Sequence, residues 1–322
     1  MCRRVKALRA HAALKDALCV ASFRGMRQIG TRMPDCEQSK LLSKISKIRM
    51  KPLMPTEIKL LCEQYDLRPS KHYGQNYLLS EKVIEEMVAA AEITTNDTVV
   101  EIGPGFGILT LALAEKAKRV VAFEIEQKLR SYWEEKNKEY PNVEIVWGNA
   151  LNRLRTTVDR LQTDDCRQLS VVSCPYKVLA NIPYHITSQI LRTLLELEHK
   201  PARIVVMLQK EVAERICAKK GSMNLLALSV QYYGTPTIVV KVPRTSFWPV
   251  PKVDSAVIAV DIFSQRTANP SLPSPTRGGT VVPEKIFFQI AKAGFSHPRK
   301  QLWSNLAHGL HIDSARVKDA LR

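Results

Sequence analysis

The stretch Thr98-Val-Val-Glu-Ile102, followed at once by Gly103-Pro-Gly-Phe-Gly107, leaves this chain few ways to fold. The first five residues read as a buried strand, and three glycines at alternate positions forbid its continuation. Helical spacing resumes over Ile108–Ala117, so the glycines form a tight strand-to-helix turn, with unpaired N–H groups at the helix start. Val120–Phe123 gives a second strand closed by Glu124, and a charged helix over about Gln127–Glu139 leads to a third strand at Val143–Trp147. Strand, glycine turn, helix, strand, helix, strand is the order of a doubly wound α/β unit, whose ligands bind beyond the carboxyl ends of the strands.

The glycine turn alone does not choose a ligand, because loops with Gly103, Gly105 and Gly107 in this spacing serve NAD, FAD and S-adenosylmethionine alike. Glu124 lies 21 residues after Gly103, at the tip of the second strand. A carboxylate there can accept both ribose hydroxyl hydrogens of an adenosyl group. Asn149 follows the third strand in Val146-Trp-Gly-Asn149, where its side chain either bonds an adenine amine or simply shapes the turn.

The fourth strand separates these cofactors. An apolar run, Tyr176–Ala180, enters Asn181-Ile182-Pro183-Tyr184. The pattern suits methylation of the exocyclic amine of a nucleobase, a poor nucleophile because its lone pair is delocalised into the ring. Accepting hydrogen bonds from both N–H groups, through the Asn181 oxygen and a backbone carbonyl, favours an sp³ nitrogen with an available pair. Pro183 fixes φ and removes a donor, and Tyr184 offers a flat face for a base. A strand-ending turn without chemistry is the plain alternative; a dinucleotide oxidoreductase would share the glycine turn but leave Asn-Ile-Pro-Tyr unexplained.

Beyond this unit, Ser188–Leu197, Glu211–Ala218 and Met223–Tyr233 read as helices, Ala202–Leu208 as a fifth strand, and Thr237–Val242 with Asp254–Phe263 as an antiparallel pair. Upstream, Thr56 is the expected N-cap of Glu57–Tyr65, Pro69–Leu79 a polar loop, and Ser80 the cap of a helix to about Ala91. Residues 265–283, rich in Pro and Ser, read as a linker, and Glu284–Ala293, Pro298–His308 and Asp313–Leu321 as short helices. Three parts are expected: a basic extension over 1–50, a methyltransferase domain over 51–264, and a linker with a small helical domain over 265–322.

The net charge of +17 sits at the two ends. Residues 1–50 carry 12 Lys/Arg against 3 Asp/Glu and residues 266–322 carry 9 against 3, leaving +2 for the middle. Basic flanks around a near-neutral centre suit a protein whose ends hold an anionic polymer while the middle does chemistry. Residues 1–50 read equally as a transit peptide, an RNA-binding arm, a solvated tail or an upstream start. Seven cysteines lack any C-x-x-C, and neither they nor the seven histidines form a metal-ligand spacing. No apolar run reaches the roughly 18 residues of a membrane span.

With these motifs in order, the chain resembles the ribosomal RNA adenine N6,N6-dimethyltransferase family, most closely its bacterial small-subunit (16S) branch. The resemblance runs from about Pro55 to Leu306. It is carried by Gly74-Gln-Asn-Tyr-Leu78, Val100-Glu-Ile-Gly-Pro-Gly-Phe-Gly107, Phe123-Glu124, Gly148-Asn-Ala-Leu151 and Asn181–Tyr184, then by Gln209–Ala213, Phe247-Trp-Pro-Val-Pro-Lys-Val-Asp-Ser-Ala256 and Phe295–Lys300. It implies a Rossmann-like class I methyltransferase domain with a small C-terminal helical domain, S-adenosylmethionine as methyl donor, and no metal. It places Asn76, Leu78, Gly103, Glu124, Asn149 and Asn181 around the cofactor, Tyr184 and Phe247 on either side of the target adenine, and Arg299 and Lys300 against rRNA phosphates. The implied partners are small-subunit rRNA and the immature small ribosomal subunit, met by a monomer in the cytoplasm, or in mitochondria if residues 1–50 direct import. A large-subunit rRNA methylase and a non-catalytic nucleic-acid-binding relative are the alternatives. Three departures stand out. Asn149 replaces the usual Asp, Tyr73 and Tyr77 replace Leu and Phe, and about ten extra residues around Arg153–Ser173 are expected as a surface insertion.

Overall fold

A computed structural model describes residues 54–68, 76–169, 175–181, 186–219, 221–263, 283–297 and 299–322. The expectations for residues 1–50, for Tyr73, for Ile182, Pro183 and Tyr184, and for the 265–283 linker therefore fall wholly or almost wholly outside the described residues.

A seven-stranded sheet forms the centre. Its strands are β2 (Thr98–Ile102), β3 (Arg119–Glu124), β4 (Val143–Trp147), β5 (Tyr176–Asn181), β6 (Arg203–Gln209), β7 (Gly234–Val242) and β9 (Ser255–Ile262). Their order is β4-β3-β2-β5-β6-β9-β7. The first five are parallel, whereas β9 runs antiparallel to β6 and to β7. The winding reverses between β2 and β5, which opens a crevice at their carboxyl ends. Glycine turn and Asn181 both sit there.

The inner parallel strands are buried on both faces, as their largely apolar text requires, whereas β4 at the edge is only partly covered. Val100, Ile102, Val121, Phe123, Val178 and Ala180 face a core shared with α5 (Ala150–Leu169) and α6 (Thr187–Leu195). The helices α2 (Glu81–Ala90), α3 (Ile108–Ala114) and α4 (Arg130–Glu139) pack on other parts of the sheet.

One reading is narrowed and one corrected. The surface insertion expected around Arg153–Ser173 does not include the start of that stretch, where Leu154, Val158 and Leu161 recur at helical spacing, are at most 1% exposed, and anchor α5 in the core. Met54, not Thr56, caps α1 (Pro55–Gln64); Pro55 takes the first helical position, and the Glu57 carboxylate accepts from the Met54 N–H at 2.6 Å.

One strand of a second, two-stranded sheet ends the polar loop expected over Pro69–Leu79. There β1 (Tyr77–Leu78) pairs antiparallel with β8 (Phe247–Trp248), Leu78 facing Phe247. The C-terminal helices are α9 (Glu284–Gly294), α10 (Leu302–Leu310) and α11 (Ser314–Ala320), with α7 (Lys210–Ile216) and α8 (Leu225–Tyr233) preceding them in the chain. Phe287 stacks on Tyr232 of α8 at 4.5 Å between ring centroids, and the Tyr233 hydroxyl donates to Glu284 at 2.6 Å. Residues 50–322 form one compact unit, these helices included.

Candidate active site

Three loops meet at the carboxyl edge of the sheet, and their backbones are tied together. The Gly103 N–H donates to the Phe123 carbonyl at 3.0 Å, and the Gly148 N–H to the Glu124 carbonyl at 2.7 Å. The ends of β2, β3 and β4 are thereby locked in register.

Gly103, Gly105 and Gly107 all have positive φ, at 77°, 54° and 78°, a region that L side chains enter only with strain. Their surroundings differ. A Cβ on Gly103 would meet nothing within 4 Å, whereas one on Gly107 would strike the Trp133 ring at 2.8 Å. Gly103 thus presents backbone to open space, while Gly107 is a packing position. Beneath the turn, α4 supplies two aromatics that hold its carbonyls. The Trp133 indole N–H donates to Gly105 O at 3.1 Å, and the Tyr132 hydroxyl to Phe106 O at 2.7 Å. Neither is apparent as a site residue from the sequence; the available signal is an adjacent aromatic pair in an otherwise charged helix.

Glu124 is 5% exposed. Its two oxygens accept from Gly105 N–H at 3.0 Å and from Glu126 N–H at 2.7 Å, so it braces the glycine turn. Burial raises its carboxyl above the usual range despite those bonds. Each carboxylate oxygen keeps a second lone pair, which leaves room for the ribose contacts expected of it. Just beyond, Ile125 is 53% exposed and adds an apolar surface to the rim.

Asn149 acts as a cap. Its side-chain oxygen accepts from the Leu151 N–H at 2.9 Å at the start of α5, leaving the NH₂ group outermost on an exposed residue. The amide oxygen keeps a second lone pair for the adenine amine expected from the sequence, and the NH₂ group can donate to a ring nitrogen beside it.

Asn181 closes the crevice from β5. Its side-chain N–H donates to the Asn76 carbonyl at 3.4 Å. A carbonyl can only accept, so it holds the NH₂ end of the Asn181 amide and sets the oxygen on the opposite side of the group. The contact also brings the Asn76–Leu78 segment to the site. Leu78 is 6% and Phe247 1% exposed, paired across β1 and β8; a base reaches the Phe247 ring only if the covering chain moves. Tyr77 lies between the Phe106 and Trp248 rings, with centroids at 5.2 and 6.4 Å, and so couples this arm to the glycine turn. Arg299 and Lys300, both exposed, occupy the turn between α9 and α10, in the helical region rather than at the sheet edge.

The strand order, the glycine turn and a buried acid at the tip of β3 define a class I S-adenosylmethionine-dependent methyltransferase. Comparison with known proteins narrows the class. The family profile described as ribosomal RNA adenine dimethylase matches residues 67–272. The small-subunit rRNA methyltransferase A of Dehalococcoides mccartyi is 40% identical over 270 residues, 84% of this chain and 85% of that protein. Its counterpart in Lactiplantibacillus plantarum is 38% identical over 254 residues, 78% and 80% of the two chains. Among solved structures, a dimethyladenosine transferase from Plasmodium falciparum superposes with a TM-score of 0.55 at 26% identity, covering 71% of this chain and 74% of that one. The 23S rRNA methyltransferase ErmE gives 0.52 at 25%, covering 72% and 83%. This chain belongs to the ribosomal RNA adenine dimethylase family.

Proposed function

We propose that this protein transfers methyl groups from S-adenosylmethionine to N6 of two adjacent adenosines in small-subunit rRNA, on the immature small ribosomal subunit. The observation carrying this reading is the Asn181 amide, steered by the Asn76 carbonyl so that its oxygen can accept from an adenine amine. Gly103 would hold the cofactor by its backbone, Glu124 by its ribose, Asn149 by its adenine, and Leu78 by apolar contact. The open face at Gly103 and the exposed amide of Asn149 fit such a group. When bound, the cofactor supplies a methyl group already activated on a positively charged sulfur.

The chain's own task is then placement. Asn181 draws the N6 hydrogens toward itself and returns electron density to the nitrogen, and holding that nitrogen in line replaces a chance encounter. Tyr184 and Phe247 would hold the base after it leaves its stack, and Arg299 with Lys300 would grip the RNA backbone.

The small-subunit target is favoured over a large-subunit one by relatives at 38–40% identity that bear the small-subunit name. Among the described residues no helix is long and apolar enough to cross a membrane. A monomer working in the cytoplasm, where bacterial-type subunits are assembled, completes the reading; fractionation of cells separates it from a mitochondrial one. Incubation with labelled cofactor and immature small subunits, followed by RNA digestion, should yield N6,N6-dimethyladenosine. Asn181→Ala should abolish it while largely sparing cofactor binding, and full activity in that variant refutes the assignment.

A further inference from the structure

Glu101 is the fourth residue of β2, stands among wholly buried neighbours, is itself 1% exposed, and its Oε2 makes no well-formed hydrogen bond, having only the equally unpartnered Thr110 hydroxyl beside it. Such an arrangement is costly unless something compensates it, since a buried charge needs a partner. Glu101 directly precedes Ile102 and the open-faced Gly103. Its β5 neighbour is Leu179, so it shares a sheet face with Leu179 and Asn181, one diagonal step from the latter.

We infer that Glu101 discriminates the charged methyl donor from its uncharged product, giving up a proton when the sulfonium cofactor binds and recovering one once the sulfur is neutral. This rests on the cofactor assignment above. Bound S-adenosylmethionine carries one net positive charge, because its carboxylate and ammonium cancel and its sulfonium remains. S-adenosylhomocysteine carries none. In a poorly solvated site a unit cation near a carboxyl favours the ionised form, and loss of that cation restores the acid. The proton passes to solvent on binding; methyl transfer moves the positive charge from sulfur to N6, which sheds it to solvent as a proton, and Glu101 recovers a proton from solvent once the site holds no cation, so charge balances at each stage.

The groups around Glu101 favour its neutral form in the free protein. Burial pushes its carboxyl up to about 8, the Thr110 hydroxyl on α3 offsets part of this, and the Glu124 carboxylate on β3 adds repulsion. The flanking strand residues, Ala122 and Leu179, carry no charge.

The test is calorimetry of the full chain with S-adenosylmethionine and S-adenosylhomocysteine, in two buffers of different ionisation enthalpy, from pH 6 to 8. An α-amino group titrates at about 8, so the Glu101→Gln variant, with its fold checked by circular dichroism, identifies the source of any proton. The wild type should release up to about one proton with the sulfonium compound, and its affinity should rise by up to about tenfold per pH unit. The homocysteine product should show neither effect. In Glu101→Gln the proton release should vanish and the preference for donor over product should shrink several-fold. Binding by the wild type without proton release, or release unchanged in the variant, overturns the inference. Failure of the wild type to bind either compound overturns the cofactor assignment and this inference with it.

Discussion

Alanine at Gly107 and alanine at Gly103 should do opposite things, although the two residues lie in one turn and share nearly the same φ. At Gly107 the new methyl would sit 2.8 Å from Cη2 and 3.2 Å from Cζ2 of Trp133. That ring is 1% exposed and cannot swing into solvent. Left-handed backbone strain costs about 1–2 kcal/mol, overpacking a filled core roughly 1–3, and loss of the Trp133–Gly105 hydrogen bond about 1. A total of about 3–6 kcal/mol should lower the thermal midpoint by on the order of 10 °C. At Gly103 only the strain applies, about 1–2 kcal/mol, because the methyl meets nothing within 4 Å. That methyl instead occupies the space where a ligand would touch the backbone, so cofactor affinity should fall at least tenfold. Urea denaturation and calorimetric titration of both variants measure the two effects. Equal losses of stability, or undiminished binding in Gly103→Ala, would refute the division between packing and contact glycines.

Other tests are simpler. Glu124→Gln leaves one oxygen where the Gly105 and Glu126 amides now find two; it should cost about 1–3 kcal/mol in urea unfolding and weaken cofactor binding at least tenfold. Asn149→Asp keeps the cap on Leu151 and adds a negative charge at the start of α5; stability should rise by roughly 0.5 kcal/mol, and a cofactor whose adenine amine donates to this side chain should bind at least as tightly, which titration would detect. The buried acids fix a pH dependence. Burial raises the Glu101 carboxyl from its ordinary 4.5 to about 8, and raises Glu124 in the same direction. The folded state therefore holds protons that the unfolded chain has lost, and the contribution present below about pH 4.5 declines as pH rises toward 8. Unfolding free energies measured across that window should show the decline, and Glu101→Gln should flatten it. At the acid end, Asp97 bonds Thr94 and Lys177, and Glu144 bonds Arg119 and Arg160; both carboxyls are held low, so both lose stabilising charge as pH falls through their folded values.

Much of this architecture is written locally. The β-branched run before Gly103, the glycines that end it, and the spacing to Glu124 determine a strand, a turn and a second strand whatever else the chain does, because periodicity and positive φ are properties of a few neighbouring residues. The bounds of β2 and β4 and the antiparallel β7–β9 pairing follow from such text. Contacts made across long separations were decided only in three dimensions. Nothing near Tyr77-Leu78 signals a strand, since its partner Phe247-Trp248 lies about 170 residues away. The donation from Asn181 to Asn76 spans 105 residues, and it sets which side of the amide group the oxygen takes. Tyr132 and Trp133 become site residues only because α4 packs under the glycine turn, and Leu154 and Val158 belong to the core only because α5 lies on the sheet. Sequence sets the local backbone and names the chemical groups; packing decides which lone pairs and protons remain free to act.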